Sequence, residues 1–279
     1  MTELLIVGGL SIDRFADGSS APGGTVIHAG REAVAEGASL TILTVAGDEP
    51  EAAVGLAQLA QLGELIHQRA PSTVTFGHAE VGGRRVLTYL ASAGPIAPPA
   101  LIDPPDVALI APIADELPAS AIPALRDAAR PRLTVLLIQG WLRRLAIGEP
   151  ARPLALDAVP PATWGACGAA DAIVVSTEDL AEAPQDPFVE IAQLRERIGP
   201  RPLVVLTLGE QGYVLDDPAA ERAVASIPRR VVVGVPMVGA GDTFATALAI
   251  HLGRGAVPPV AATNATDRVI RMLEARGRA

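Results

Sequence analysis

Val238-Gly239-Ala240-Gly241-Asp242-Thr243-Phe244 is the stretch on which the reading of this chain turns. Upstream, the apolar run Val231 to Val233 reads as a strand. Downstream, Ala240 to Leu252 keeps an apolar helical spacing. The glycines let the backbone turn tightly and approach a ligand closely. A helix starting here points its first N–H groups and its positive dipole end outward, which makes a hole for an anion. An Asp inside such a hole is suited to take a proton beside a phosphate. The same Asp would also serve as a plain N-cap, so the local pattern leaves both readings open. A dinucleotide fingerprint would need a third glycine at position 244, where Phe244 stands. With no acidic ribose partner either, a nicotinamide oxidoreductase is a distant alternative.

Working outward, strands and helices alternate. Leu4 to Val7 reads as a buried strand that ends in Gly8-Gly9. Gly23-Gly24 opens a helical pattern running through Val34 and Ala35. Leu40 to Val45 reads as a strand and Glu49 to Leu62 as a helix. Thr73 to Leu90 reads as two strands joined by a turn at Val81-Gly82-Gly83-Arg84. Val107 to Ala111 and Leu133 to Ile138 flank a helix over Ala119 to Ala129. Ala172 to Val175 precedes a helix over Phe188 to Arg197, and Leu203 to Leu208 follows as a strand. Gln211 to Leu215 and Arg222 to Ser226 form an antiparallel pair, and a last helix covers Val260 to Ala275. The alternation predicts an α/β domain with a mostly parallel sheet covered on both faces. The proline-rich stretches at 95–105 and 158–161 read as loops, so residues 1–279 are expected to form a single domain.

Composition narrows the function. The 279 residues are 49% hydrophobic, 19% charged and only 3% aromatic, so the core is aliphatic. A net charge of −9 argues against a nucleic-acid partner, which would need a basic face. All 22 basic residues are Arg. Without Lys there is no Walker A loop, no protein-kinase strand lysine and no Schiff base. Cys167 stands alone and can form neither an intrachain disulfide nor a zinc site by itself. The apolar runs are short and broken. Neither a membrane span nor a signal peptide is read, and a cytoplasmic protein is expected.

Three further segments align with the Gly239–Asp242 element: Gly8-Gly9-Leu10-Ser11-Ile12-Asp13, Gly23-Gly24 four residues before His28, and Thr207-Leu208-Gly209-Glu210-Gln211-Gly212. In this order and spacing the sequence resembles the PfkB (ribokinase-like) family of small-molecule kinases over nearly its whole length. The resemblance implies a three-layer sandwich with a small β lid from strands near 13–20 and 73–90. It implies ATP and Mg2+ as cofactors. It matches Asp242 to the catalytic base and Gly239, Ala240 and Gly241 to the anion hole for the transferred phosphoryl group. Ser11, Asp13, Gly23 and Gly24 fall on the acceptor side, with His28, Gln139 and Arg143 as further acceptor candidates. Ser176, Thr207, Gly209, Gly212 and Asn264 fall on the nucleotide side, and Asp179 on the metal motif.

The departures from the family pattern are specific. His28 replaces the usual Asn. The Asn-x-x-Glu metal motif appears as Ser176-Thr177-Glu178-Asp179. Pro236-Met237-Val238 replaces the usual Asp-Thr-Thr or Asp-Pro-Thr, which leaves no evident monovalent-cation site. Gly94 to Pro98 and Gln139 to Arg143 are similar to segments of inositol-kinase-like members, so myo-inositol leads as acceptor, ahead of ribose or a nucleoside. A binding protein on a kinase scaffold that has lost turnover is the alternative class. The expected partner is a small polyol or sugar, and the chain is expected to be a monomer or a homodimer. His67, His78 and His251 lack ligand spacing and read as surface residues. Arg84-Arg85 and Arg143-Arg144 read as solvated, and Arg229-Arg230 as a strand edge.

Overall fold

The computed structural model describes residues 1–82, 84–98, 103–181 and 186–278. Gly83 of the expected hairpin turn and Pro99 in the first proline-rich loop lie outside the described residues, as do the side chains of Arg84 and Arg85. The elements run in chain order as β1 (Glu3–Gly8), β2 (Ser11–Arg14), β3 (Ser20–Gly23), α1 (Thr25–Ala35), β4 (Ser39–Ala46), α2 (Pro50–Leu62), β5 (Glu64–Arg69), β6 (Val74–Val81) and β7 (Arg84–Ala91). They continue through β8 (Val107–Ala111), α3 (Ile122–Ala129), β9 (Leu133–Leu137), β10 (Arg143–Arg144), β11 (Arg152–Pro153), α4 (Pro161–Ala169), β12 (Ala172–Ser176) and α5 (Pro187–Ile198). The chain closes with β13 (Leu203–Thr207), β14 (Tyr213–Asp216), β15 (Val224–Ser226), α6 (Ala240–Gly253) and α7 (Pro258–Arg276).

Among the described residues the central sheet has nine strands in the order β15-β14-β13-β12-β9-β8-β1-β4-β5. Only the two pairings made by β14 are antiparallel. The apolar strand runs are buried on both faces, which is why they read as continuous rather than alternating. Leu4, Ile6 and Ile42 face one layer, made of α1, α2, α6 and α7. Leu5, Val7 and Leu43 face the other, made of α3, α4 and α5. The result is a three-layer sandwich, as the alternation and the resemblance led us to expect. From β1 the chain winds one way through β4 and β5, then returns to β8 and winds the other way. That reversal opens a crevice beyond the carboxyl ends of β1 and β8, where α/β sheets bind ligands.

A second sheet of four strands, β3-β2-β6-β7, stands over that crevice. It unites the segments expected near 13–20 and 73–90. Four elements were not anticipated: the short pair β10 and β11, β5, whose Glu64, His67, Gln68 and Arg69 mask a strand at the sheet edge, and α4, which starts at one of the prolines read as a loop. Pro161 fits there because the first helical turn has no use for its missing N–H.

The expected strand at Val231 to Val233 does not form. The chain from 227 to 239 joins no ladder among the described residues, and Val231 and Val233 remain 45% and 73% exposed. Three consecutive valines carry strand propensity, but a strand also needs a neighbour, and the segment has already left the sheet edge at β15. Among the described residues no helix is long and apolar enough to cross a membrane.

Candidate active site

Asp242 lies in the first turn of α6, a helix buried along most of its length. Its N-cap, Gly239, sits in the left-handed region at φ 78°. A Cβ on Gly239 would come within 2.6 Å of Cγ and Nδ1 of His28, so the glycine is required twice, by its backbone angle and by the imidazole against it. Asp242 is only 9% exposed, and its Oδ1 is buried without a hydrogen-bond partner among the described residues. Burial pushes its carboxyl above the usual range, against the pull of His28 and the Thr25 hydroxyl bonded to it. Burial pushes the His28 imidazole below its usual range, while Asp242 pulls it back.

Gly24 caps α1 at φ 91°, and a Cβ there would stand 2.3 Å from the Gly9 carbonyl oxygen. Only glycine lets the start of α1 lie against the turn after β1. Gly23 plays a similar part behind Asp13, whose Oδ2 would stand 2.5 Å from a Cβ. The Ser11 hydroxyl donates to Asp13 Oδ1 at 3.1 Å, and His78 Nε2 of β6 lies 3.3 Å from the same oxygen.

A polar chain then crosses the crevice. Arg143 donates to Asp179 at 2.7 Å and to Gln139 at 3.4 Å. Gln139 Nε2 reaches Thr25 Oγ1 at 3.3 Å, and Thr25 bonds Asp242. Four elements and their loops are thus linked to one buried carboxylate. One cavity of about 680 Å3 contains both halves of the site. Ser11, Asp13, Thr25, His28, His78, Gln139 and Arg143 line one end. Ser176, Thr207, Gly209 and Gly212, beyond β12 and β13, line the other, and Gly239, Ala240, Gly241 and Asp242 of the α6 start and Val269 and Ile270 of α7 line it too.

The structure departs from the sequence reading at several positions. Asn264 is on α7 but does not line the cavity; Thr266, Val269, Ile270 and Leu273 of the same helix do. Gly23 backs Asp13 rather than reaching the cavity. Arg143 is not solvated: its side chain is 20% exposed and paired with Asp179. Arg230 is not on a strand edge; it lines the cavity and pairs with Glu274. His78 is not a surface residue, because the lid folds it over Asp13 and against Phe15. His251 is half-buried beside Glu36, and His67 faces the Ala46 carbonyl oxygen. Thr25 and His78 were missed. Thr25 could have been found from its place directly after the glycine pair, but no local signal marks His78.

Among the described residues no group of three His, Cys, Asp or Glu side chains is placed to hold a metal ion. Asp179 and Glu178 do stand together at the cavity beyond β12, and Arg143 already engages Asp179. Such a pair fits an ion carried in on phosphate oxygens and water, which needs only one or two carboxylates.

Solved structures match over almost the full chain. A pyrophosphate-dependent kinase in the ribokinase family, complexed with a pyrophosphate analogue and myo-inositol, superposes with a TM-score of 0.75 at 16% identity, covering 97% of this chain and 94% of that one. The chain has the ribokinase fold. The ribokinase of Arabidopsis thaliana, complexed with ribose and ATP, gives a TM-score of 0.73 at 16% identity over 98% of this chain and 93% of that one. The ribokinase of Cryptococcus neoformans var. grubii with ADP gives 0.69 at 16% identity over 95% and 92%. No family model and no curated protein matches the sequence. In this ribokinase fold the cavity lies at the strand-order reversal, under the four-stranded lid sheet.

Proposed function

We propose that the protein is a phosphotransferase that moves a terminal phosphoryl group from ATP to a hydroxyl of a small polyol or sugar, with myo-inositol favoured as acceptor. The observation that carries this reading is the buried, unpartnered Oδ1 of Asp242 at the start of α6, between the two halves of one cavity. A carboxylate with a vacant lone pair and a raised pKa is suited to accept the acceptor's hydroxyl proton. The α6 N-terminus beside it offers N–H groups to the charge that develops on the transferred group.

Asp13, backed by Ser11 and His78, takes the remaining hydroxyls of the acceptor, and a polyol suits a carboxylate that can accept two. His28 stands where an amide is usual, against the anion hole. Val231, Val232, Val269 and Ile270 offer the cavity apolar walls that a nucleobase fills. Pyrophosphate, the donor of one structural relative, has no such group, so ATP is the better fit. Mg2+ would be held by Asp179 and Glu178 and, when bound, neutralises charge on the donor phosphates.

The test compares kcat/KM for myo-inositol, ribose, fructose 6-phosphate and adenosine, with Mg-ATP and with magnesium pyrophosphate as donors. Transfer from ATP to myo-inositol above the others is expected. If ribose or adenosine wins by about tenfold or more, the acceptor assignment is wrong and the kinase reading stands. If no pair reacts while ATP and polyols still raise the melting temperature, the protein is a binder on a kinase scaffold.

A further inference from the structure

The loop that delivers the anion hole carries no charged side chain of its own. Pro236, Met237 and Val238 bring only backbone oxygens to the approach to Gly239. The Met237 carbonyl accepts the Ala240 N–H at 2.9 Å, which closes the turn into α6. The carbonyls on either side of it share a different donor. Nη1 of Arg276, in the last turn of α7, donates to the Pro236 oxygen at 3.0 Å and to the Val238 oxygen at 2.6 Å. Two carbonyl oxygens converging on one positive nitrogen is how a loop holds a cation, and here the cation is covalently part of the chain. A guanidinium keeps its charge at any working pH and offers several donors in a fixed plane. The charge reaches the site as well. After burial, Arg276 and Arg31 are what push the His28 imidazole down, against Asp242 and Asp13.

We propose that Arg276 is the built-in cation of the anion-hole loop. It fixes the Pro236 and Val238 carbonyls and so sets the Gly239 turn and the start of α6, and no free monovalent ion is needed there. Arg276 is a positioning residue, because it acts through the loop and not on a substrate. Its kinetic consequence rests on the phosphotransferase reading. Its structural consequence does not.

The experiment is amide hydrogen exchange on the full chain, wild type against Arg276→Gln and Arg276→Lys, in potassium and in tetramethylammonium chloride. Wild-type protection at residues 239–243 should be the same in both salts. Arg276→Gln should exchange about tenfold faster there while residues 262–270 of α7 keep their protection, and Arg276→Lys should fall between the two. Millimolar guanidinium, or potassium, should restore protection in the Gln variant. Three results overturn the proposal: wild-type protection that depends on potassium, a Gln variant that exchanges like wild type, or a loss that spreads along α7 and resists rescue. With a working acceptor, Arg276→Gln should lower kcat and leave the acceptor KM nearly unchanged. If the wild type transfers no phosphoryl group and the exchange pattern still holds, the functional reading fails and the role of Arg276 stands.

Discussion

At the scale of single residues, the proposed chemistry rests on Asp242 and the imidazole that stands against its helix start. Asp242→Asn keeps the shape but cannot take a proton. It should lower kcat by about 10²–10⁴ and leave ATP and acceptor binding nearly intact, as titration calorimetry and steady-state kinetics can show. Wild-type turnover in that variant would remove Asp242 from the role. The pH profile follows from the direction of the shift. Burial raises the Asp242 pKa, and a carboxylate in the proposed role of base works only when deprotonated, so activity should fall as pH drops through that raised value. The acid limb of kcat should therefore lie above the ordinary carboxylate range. His28→Asn removes an imidazole whose charge favours the carboxylate, and it should move the limb further up. A limb at an ordinary carboxylate pKa would contradict the burial argument. Both residues are visible in the sequence as part of a motif. The orphaned Oδ1 and the contact of His28 with Gly239 are not, because they depend on α1 and α6 packing side by side.

At the scale of elements, turns hold the site open. Gly212 joins the end of the β13 loop to β14 at φ 96°, and a Cβ there would lie 2.0 Å from the Ser226 carbonyl oxygen of β15. Backbone cannot yield as a flexible side chain can. Gly212→Ala should cost about 1–3 kcal/mol in urea unfolding, typical of forcing a residue into a strained backbone state. Because Gly209 and Gly212 line the part of the cavity proposed to take ATP, KM for ATP should rise more than kcat falls. An unchanged KM with reduced stability would confine the turn to a structural role. Most parallel strands were legible because they are buried on both faces and carry uninterrupted apolar runs. The strand at Val231 to Val233 was misread because valine reports strand propensity and not whether a neighbouring strand exists. The strand β5 was missed because an edge strand shows polar residues to solvent.

At the scale of the whole molecule, Glu116 ties several parts together. It is fully buried, and its two oxygens accept the N–H groups of Ile113 and Ala114, each at 2.8 Å. Its carbonyl accepts the Ile96 N–H at 2.7 Å, and its neighbour Asp115 accepts the hydroxyl of Tyr89 from the lid. Burial pushes the Glu116 carboxyl up to about 7 from 4.5, outweighing the backbone N–H bonds. The folded state therefore holds this proton more tightly than the unfolded chain. Between 4.5 and about 7 the native state binds more protons, so the Glu116 contribution to stability falls as pH rises and levels off above 7. The full difference is at most about 3 kcal/mol. Urea unfolding at intervals from pH 4.5 to 8 should show that decline in the wild type relative to Glu116→Gln. Parallel curves for the two proteins would show that Glu116 stays ionised when buried.

The sequence alone determined the α/β class, the aliphatic two-faced sheet, the glycine-rich helix start with Asp242, and the exclusion of every lysine-dependent phosphate site. These follow from local patterns: hydrophobic periodicity, glycine placement and the absence of a residue type. The tertiary structure decided what touches what. It folded His78 over Asp13, paired Arg143 with Asp179, and laid Arg276 against carbonyls 38 and 40 residues away. It also took the apolar run at 231–233 out of the sheet and set Val231 and Val232 in a cavity wall. None of these contacts leaves a mark in the sequence around either partner, because a contact across such a separation is set by how layers pack, and packing is a property of the whole chain.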